Sequence, residues 1–378
     1  MKSHFNIIIG LSLALLAMSG GFSAAVEDAS APCAHISIAS PTPDETCLAY
    51  IESAPRPDFE PIPLDQYTLN VFQYWQAREA GTPLYDAPNG EIVGRTNEGL
   101  VYYRVQEASE DGRWLRNEEG QWLHAADLQL EQVSEFSGVQ LGGSEQRPFA
   151  WVLQEGRPLA YPGAEVAADE AADEAADEAA PTLARYELVH LFASATDEAG
   201  KRWYMIGAEQ WLPEEQLAVF QPPVKPRFIS RDRWLAVDLS EQVLVGFWQD
   251  EPQFATLVSS GTESHDTPMG VYEVWARLEM DSMSGFTGAP DAYGLESVPW
   301  VLYYFESIGF HGTYWHDGFG TPLSHGCVNL SVSDSAFVYR WTVDGIGAYG
   351  TDGVEEIDTQ VYVYRSGLVG DGPASESE

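Results

Sequence analysis

The sequence has little positive charge. Its 378 residues contain 58 Asp and Glu but only 19 Lys and Arg, of which three are Lys, and the formal net charge is -39. Such a field repels phosphate backbones and anionic lipid surfaces, so nucleic acid and membrane surfaces are disfavoured as partners. The acidity also has a plain structural explanation, because a charged surface keeps a protein in solution.

Long apolar runs are absent after the first residues. Lys2, the apolar run Ile7–Met18 and the small residues Ser23–Ala25 are typical of a cleaved secretory signal peptide. A membrane-spanning helix needs about 20 apolar residues, and no later stretch approaches that length. The sequence therefore predicts a signal peptide at 1–25 and an exported protein, in the cell wall, periplasm or medium, whose mature form has no membrane span.

Cysteine is also scarce, with residues only at Cys33, Cys47 and Cys327. In an exported chain the first two are the natural disulfide pair, and closing their loop would stabilise the fold by about 3 kcal/mol in the chain-entropy model. The alternative is two free thiols in a flexible leader. In either case Cys327 stands apart.

Two segments of the sequence repeat a tryptophan spacing. Trp114, Trp122 and Leu128 are separated by eight and six residues, and Trp203, Trp211 and Leu217 reproduce both intervals. The second copy is longer upstream by the 14 residues of 167–180, AADEAADEAADEAA, which are too charged and uniform to pack.

Both copies contain short alternating strands, such as Val101–Val105 and Glu187–Leu191, broken by turn residues. They resemble bacterial Src-homology-type barrel modules, and that resemblance implies possible binding of wall polymers. The alternative is that their tryptophans are core residues and not ligand platforms.

Changes in composition and proline-rich segments predict the domain order, and Pro222–Pro226 marks the last boundary. The predicted parts are a signal peptide at 1–25, a Pro, Ala and acidic leader without a core at 26–63, a first small β-barrel at 64–135, a second at 145–221, a catalytic domain at 227–366 and an acidic tail at 367–378.

The last domain is predicted to be mainly β. A hairpin is expected from Trp234–Leu239 and Val243–Phe247, further strands at Ala255–Ser259, Val271–Ala276 and Val361–Tyr364, and one helix with Ser333 as N-cap.

The stretch Phe310–Phe337 contains the chemistry-bearing residues. Cys327 follows Ser324-His325-Gly326 and lies sixteen residues after His311-Gly312. A cysteine nucleophile must lose its proton, and a nearby imidazole such as His311 can accept it. The amides of Gly326 and Cys327 are candidates for an oxyanion hole.

This segment resembles the YkuD-type L,D-transpeptidase catalytic domain at His311, Gly312, Ser324, His325, Gly326, Cys327 and Asn329. Ser259-Ser260-Gly261 and Thr267–Tyr272 resemble its cleft-wall segment. The resemblance implies a β-sandwich with one or two short helices, a Cys327 nucleophile, a His311 base whose tautomer the Gly312 carbonyl fixes, and peptidoglycan stem peptides as substrate.

Other residues have alternative explanations. His325 would line the site or be structural, Ser324 and Asn329 would contact substrate or stabilise a turn, and Tyr304 would wall the pocket or pack in the core. His316 and Asp317 match no zinc spacing, so no metal and no cofactor are expected. We expect Gly285–Glu296 to form a lid and Gly345–Asp358 to be an insertion.

Three functions fit these residues. The first is a transpeptidase that forms 3→3 crosslinks through an acyl-enzyme on a tetrapeptide stem. The second keeps that acyl-enzyme and uses water or a protein amine as acceptor. The third is a wall-binding protein with an inactive cysteine domain, which the complete set of His311 and Cys327 disfavours.

Overall fold

The computed structural model describes residues 31–54, 56–142, 147–164, 181–285, 292–344 and 358–367. The predicted signal peptide, the acidic repeat 167–180, nearly all of the acidic tail and the insertion before the last strand lie outside these residues. So does the centre of the predicted lid, residues 286–291. Within the described chain the protein is mainly β, as the sequence predicts.

The first two thirds of the chain are built from short strands. Their bounds are β1 Glu60–Pro61, β2 Gln73–Ala77, β3 Pro83–Tyr85, β4 Ile92–Arg95, β5 Leu100–Val105, β6 Glu107–Ala108, β7 Trp114–Arg116, β8 Trp122–His124, β9 Leu128–Leu130, β10 Val139–Gln140, β11 Phe149–Val152, β12 Leu188–His190, β13 Ala193–Thr196, β14 Arg202–Gly207, β15 Gln210–Pro213 and β16 Leu217–Val219.

The last third has longer strands and the longest helix. Its elements are β17 Arg233–Asp238, β18 Val243–Trp248, β19 Glu251–Leu257, β20 Gly270–Glu273, β21 Ala276–Gly285, β22 Tyr293–Phe305, β23 Ile308–Gly312, β24 Val328–Leu330, α3 Val332–Asp344 and β25 Thr359–Tyr364. The predicted hairpin is confirmed, since β17 and β18 pair antiparallel from Arg233–Trp248 to Asp238–Val243.

Two large sheets cross the predicted domain boundaries. The first has the order β1-β10-β19-β18-β17-β25-β20, and the second β24-β23-β22-β5-β2-β9 with β21 paired to β22. Strands β2, β5 and β9 come from the predicted first barrel, yet β5 runs parallel to β22 with Leu100 opposite Tyr293. This segment therefore completes a sheet of the C-terminal region.

Both sheets face a shared apolar core. Leu235 and Phe254 from the first sheet pack with Leu302 and Phe310 from the second, and Trp341 of α3 closes the layer. The other face of the first sheet packs on residues near the second repeat, so β17 and β18 read as nearly continuous apolar runs. Strands β23 and β24 lie at one end of the second sheet, and Phe310, Val328 and Leu330 anchor them in this core.

The two tryptophan repeats adopt the same element order. β7, β8, the 3-10 helix Ala125–Asp127 and β9 correspond to β14, β15, the 3-10 helix Glu214–Gln216 and β16. Trp114, Trp203 and Trp211 are buried, with exposed fractions of 6%, 5% and 0%. These three tryptophans therefore pack in cores, whereas Trp122 is half-buried.

The expectation of a leader without a core is wrong for its described part. Asp44 caps helix α1, Glu45–Glu52, by accepting the Cys47 amide hydrogen, and the Cys33–Cys47 disulfide is formed as predicted. Both half-cystines are buried in a cluster with Trp203 and Trp211 of the second repeat. A second short helix, α2 at Gln66–Val71, precedes β2.

The predicted helix after the cysteine is α3, but its cap is not Ser333. The Ser331 hydroxyl accepts the Asp334 amide hydrogen at 3.1 Å, which makes Ser331 the capping side chain. Ser333 instead accepts a hydrogen bond from the Asp65 amide at 3.0 Å. Among the described residues no helix has the length and apolar character needed to cross a membrane.

Candidate functional site

The parallel strands β23 and β24 carry the predicted base and begin directly after the predicted nucleophile. His311 is the register partner of Asn329, and Phe310 is the partner of Val328. Because register partners on neighbouring parallel strands point to the same face, His311 and Asn329 project to one side of the sheet. Cys327 directly precedes β24.

His311 is buried, with 2% of its surface exposed. Its pKa is lowered to about 4, mainly by burial. A hydrogen bond with the Gly312 backbone opposes this shift, and the nearby His316 adds to it. The Thr313 hydroxyl lies 3.5 Å from Nδ1. The imidazole is therefore neutral at pH 7 and able to accept a proton.

The Cys327 thiol is the free cysteine of the described chain and is half-buried. Its Sγ lies 3.7 Å from the Ser307 carbonyl oxygen. Desolvation raises the pKa of the thiol, and a hydrogen bond from the Gly309 backbone partly opposes that shift. Cys327 in this environment is a neutral thiol at pH 7 that needs a base in order to attack.

A tight turn presents the cysteine. The Ser324 hydroxyl accepts the Gly326 amide hydrogen at 3.0 Å and donates to the Cys327 carbonyl at 2.5 Å. Gly326 has φ of +120°, a conformation that side chains disfavour, so glycine is required here. Ser324 thus acts as a turn residue, the second of its two predicted roles.

The cleft-wall segment packs directly on this turn. Thr267 donates its hydroxyl to the Gly326 carbonyl at 2.9 Å and accepts the Gly261 amide hydrogen at 2.9 Å. Gly261 forms a bridge to Ser324, and Ser259 one to Asn329. Both arms of the turn are therefore fixed before substrate arrives.

One of the two backbone amides predicted to form the oxyanion hole has another hydrogen-bond partner. The Gly326 amide hydrogen is committed to the Ser324 hydroxyl. Of the predicted pair, only the Cys327 amide is then a candidate donor to an oxyanion. The prediction for Gly326 is wrong in this conformation, because the side chain that shapes the turn also occupies its donor.

His325 lies at the surface near the cysteine. Its ring centroid is 4.7 Å from that of His265 and 5.1 Å from that of Tyr293. Tyr293 and Tyr303 are both close enough to Cys327 for a thiolate to raise their pKa. These aromatic side chains border the thiol, and the sequence did not single out His265 or Tyr293 for that place.

Tyr304 is a core residue, and it lies close enough to Cys327 for a thiolate there to raise its pKa. It is 3% exposed and packs against Phe310 and Tyr272 at centroid distances of 5.0 and 5.5 Å. Its hydroxyl has no hydrogen-bond partner within the described chain. Of the two roles predicted for Tyr304, the packing role therefore describes its contacts.

Asn329 and His316 form a contact that sequence reasoning missed. The Asn329 amide lies 2.9 Å from His316 Nε2, and His316 Nδ1 accepts the Gly318 amide hydrogen at 3.0 Å. Burial lowers the pKa of His316 to about 4. The sequence gives no indication of this contact, because the contact depends on how the loop between His316 and Asn329 folds back.

The described residues contain no group of three or more His, Cys, Asp or Glu side chains arranged to hold a metal ion. The site as placed consists of a thiol, a neutral imidazole, backbone amides and an aromatic border. Such a set can carry out acyl transfer through a thioester, with the thiol as nucleophile and the imidazole moving the proton.

Comparison with known families gives one match, to the YkuD family of L,D-transpeptidase catalytic domains, over residues 232–363. These residues include His311 and Cys327 and make up about a third of the chain. The prediction of a YkuD-type domain in this region is confirmed. The comparison with curated proteins gave no match.

Several solved structures are similar to part of the chain. An Enterococcus faecium L,D-transpeptidase C442S mutant is 23% identical over 35% of this chain and 50% of its own, with a TM-score of 0.29. The chain thus spans half of that protein. A Mycobacterium smegmatis L,D-transpeptidase is 20% identical over 45% of this chain and 79% of its own, with a TM-score of 0.30.

A third similar structure is L,D-transpeptidase 3 from Mycobacterium tuberculosis. It is 17% identical over 48% of this chain and 76% of its own, with a TM-score of 0.30.

Proposed function

We propose that the protein is a peptidoglycan L,D-transpeptidase that works through a Cys327 acyl-enzyme. The observation that supports this most directly is the parallel pairing of β23, which carries His311, with β24, which directly follows Cys327. The family match over residues 232–363 adds to it.

In the first half-reaction the Cys327 thiol gives its proton to the neutral His311 imidazole as Sγ attacks the carbonyl carbon of the stem amide. The Cys327 amide hydrogen is the proposed donor to the oxyanion. The C–N bond then breaks, the terminal D-alanine leaves with the proton from His311, and a thioester remains. Atoms and charge balance without a cofactor.

In the second half-reaction an amine of another stem attacks the thioester, gives a proton to His311, and expels the Cys327 sulfur, which regains a proton. The product is a 3→3 crosslink. Water as acceptor would make the enzyme an L,D-carboxypeptidase, and a protein amine would make it a ligase to the wall. All three share the first half-reaction.

The substrate implies a location outside the cytoplasm, in agreement with the predicted signal peptide and with a disulfide at Cys33–Cys47. The two repeats are proposed to lie along the wall, with polymer binding as their additional role. The core positions of Trp114, Trp203 and Trp211 mean that such binding would use other side chains.

The test is intact-protein mass after incubation with a carbapenem, whose strained amide a nucleophilic thiol opens. The wild type should gain one carbapenem mass, while Cys327→Ala should gain none and keep its fold by circular dichroism. A tetrapeptide muropeptide is then supplied, and crosslinked dimer, tripeptide or protein conjugate identifies the acceptor. If the wild type gains no mass and leaves the muropeptide intact, the enzyme assignment fails and a wall-binding role replaces it.

A further inference from the structure

The loop between the two motifs, residues 313–323, contacts the paired strands through Thr313, Trp315 and His316. His316 lies on this loop and reaches Asn329 at 2.9 Å. Asn329 is the register partner of His311 on the neighbouring strand. The position of the loop therefore decides what stands beside the catalytic imidazole.

The next residue of this loop is held from outside the family-matched region. Arg185 Nη2 and the Tyr186 hydroxyl each donate to the Asp317 backbone carbonyl at 2.5 Å. Arg185 Nη1 also lies 3.3 Å from the Asp317 carboxylate, and the Ser134 hydroxyl donates to the same carboxylate. We call these contacts of Arg185, Tyr186 and Ser134 with Asp317 the loop clamp.

The charge pair is the weaker half of the clamp. Half of the Asp317 side chain and 38% of the Arg185 side chain are exposed, and exposed ion pairs contribute little. The two hydrogen bonds to the main-chain carbonyl fix the loop backbone itself, and Tyr186 also accepts the Phe319 amide hydrogen at 3.1 Å. Tyr186 therefore bonds the loop at two points.

The backbone of Tyr186 carries a cost that these contacts offset. Its φ is +67°, a left-handed conformation that is an outlier for a bulky residue. Strain of this kind persists where the surroundings fix it. Here the ring packs on Phe136 at 4.5 Å between centroids, and the Arg185 guanidinium lies 4.4 Å above it.

Packing adds a second link between the loop and the second repeat. Gly320 has φ of +87°, and a β-carbon placed on it would lie 2.3 Å from Leu153 Cδ2. Leu153 directly follows β11. The loop backbone thus rests on a side chain at the end of β11, and a glycine is needed at that point.

We infer that Arg185 and Tyr186 of the second repeat are positioning residues for the active site, acting through the loop clamp and His316 on Asn329 and His311. The second repeat is then part of the catalytic apparatus and not only a tether. The expected effect on the acylation rate rests on the proposed function. The loop clamp itself rests on the contacts described above.

The clamp has a measurable consequence for His311. The pKa of His311 is lowered to about 4, mainly by burial and to a smaller extent by His316. The groups that act on His316 are Asp317, which raises its pKa, and Arg185, which lowers it. A loosened loop would admit water to both rings, so both pKa values would rise toward the ordinary histidine value.

Tyr186→Phe is the cleanest variant because it removes only a hydroxyl and changes no charge at neutral pH. Arg185→Ala removes the other main-chain donor. The matched control is Tyr161→Phe, an exposed tyrosine of the same segment. Thermal unfolding of each variant checks that the fold is retained.

Two readouts are needed, namely the rate of Cys327 acylation by a carbapenem and the titration of histidines labelled with carbon-13 at Cε1. We expect Tyr186→Phe and Arg185→Ala to slow acylation roughly threefold to tenfold, the factor for loss of one net hydrogen bond. The His311 and His316 titrations should move to higher pH. Tyr161→Phe should match the wild type in both.

Unchanged rates and titrations in both clamp variants would overturn the inference and leave the proposed function standing. If the titrations move while no form of the protein, wild type included, is acylated, the clamp stands as a positioning contact and the transpeptidase proposal fails. Slower acylation with unmoved titrations would also overturn it, since the effect would not pass through His311.

Discussion

At the reacting side chains, burial decides the protonation state. Desolvation raises the pKa of the Cys327 thiol above its ordinary value of about 9 and lowers that of His311 to about 4. Both groups are then neutral over a wide pH range around 7. This differs from a resting thiolate and imidazolium pair, and it makes proton transfer part of the attack on the substrate.

We therefore predict little resting thiolate at pH 7. The ultraviolet thiolate absorbance of the wild type minus that of Cys327→Ala should be flat through neutral pH and rise only above about 9. As the pH is lowered, the acylation rate should fall with a midpoint near pH 4, because His311 becomes protonated there. His311→Ala should lose roughly 10²–10⁴-fold in rate. A thiolate signal at pH 6 would contradict the neutral pair.

Gly326 offers a test of the turn. With φ of +120° and Ile308 Cδ1 as the nearest atom at 3.5 Å, an added methyl group has space but the backbone is strained. Gly326→Ala should cost about 1–3 kcal/mol in the free energy of unfolding and slow acylation. Gly294→Ala, where a β-carbon meets nothing within 4 Å, is the control. Equal stability of the two variants would argue against strain at Gly326.

At the scale of the element, α3 depends on its first turn. The buried Ser331 hydroxyl accepts the Asp334 amide hydrogen, and the Asp334 carboxylate in turn accepts the Gly138 amide hydrogen at 2.9 Å and the Thr256 hydroxyl at 2.6 Å. The helix start is thereby joined to the first large sheet, at β19 and beside β10.

Ser331→Ala should lower the free energy of unfolding by about 0.5–2 kcal/mol, because the Asp334 amide hydrogen would remain buried without its cap. Chemical denaturation measures this, with the exposed Ser282→Ala as control. A loss no greater than that of Ser282→Ala would mean that another group takes over the cap.

Sequence reasoning succeeded where local pattern decides structure. Apolar runs separated by turn residues located the β17–β18 hairpin and β25. It failed where a distant segment supplies the partner. The serine that caps α3 lies two positions before the predicted one, and Ser333 faces Asp65, 268 residues away in the chain.

The same limit applies within the site. Ser324 and Asn329 are conspicuous in the motif, but their partners are set by the folded turn and loop. His316 matched no known spacing, so sequence gave no reason to place it beside Asn329. Similarly, the acidic and proline-rich leader has the composition of a linker, whereas the disulfide and the packing on Trp203 and Trp211 give its described part a core.

At the scale of the whole molecule, the catalytic region shares its sheets with the first segment. The β22 strand needs β5 as its neighbour at Tyr293–Leu295, and β19 needs β10. A fragment of residues 227–366 would expose those edges and the apolar side chains beneath them.

We predict that this fragment shows no cooperative thermal transition, while residues 26–366 unfold cooperatively. Circular dichroism and binding of a hydrophobic dye to each protein measure the difference. A fragment that melts cooperatively at the temperature of the longer chain would show that the shared strands are dispensable.

The pH dependence of stability is also a property of the whole fold. Burial raises the pKa of Glu241 to about 8, of Glu296 to about 7 and of Asp334 to about 6, from ordinary values of 4.5, 4.5 and 3.8. A carboxyl whose pKa is higher in the folded state binds its proton more tightly there. Its contribution to the stability of the fold is full below its ordinary pKa and is lost as the pH rises through its folded-state pKa.

The protein should therefore have a higher thermal midpoint at pH 5 than at pH 8, and Glu241→Gln should reduce the difference. The exposed Glu263→Gln removes the same charge and should leave the difference unchanged. A midpoint that rises from pH 5 to pH 8 would contradict these raised pKa values.

The parallel pairing of β5 with β22 also bears on how fast the protein can fold. Leu100 and Tyr293 are adjacent in the sheet but 193 positions apart along the chain. Contacts of such high sequence separation slow folding, because a long loop must close before they form. The sheet that carries His311 can be completed only after Leu330, the end of β24, has left the ribosome, so the proposed active site forms no earlier than that point of synthesis.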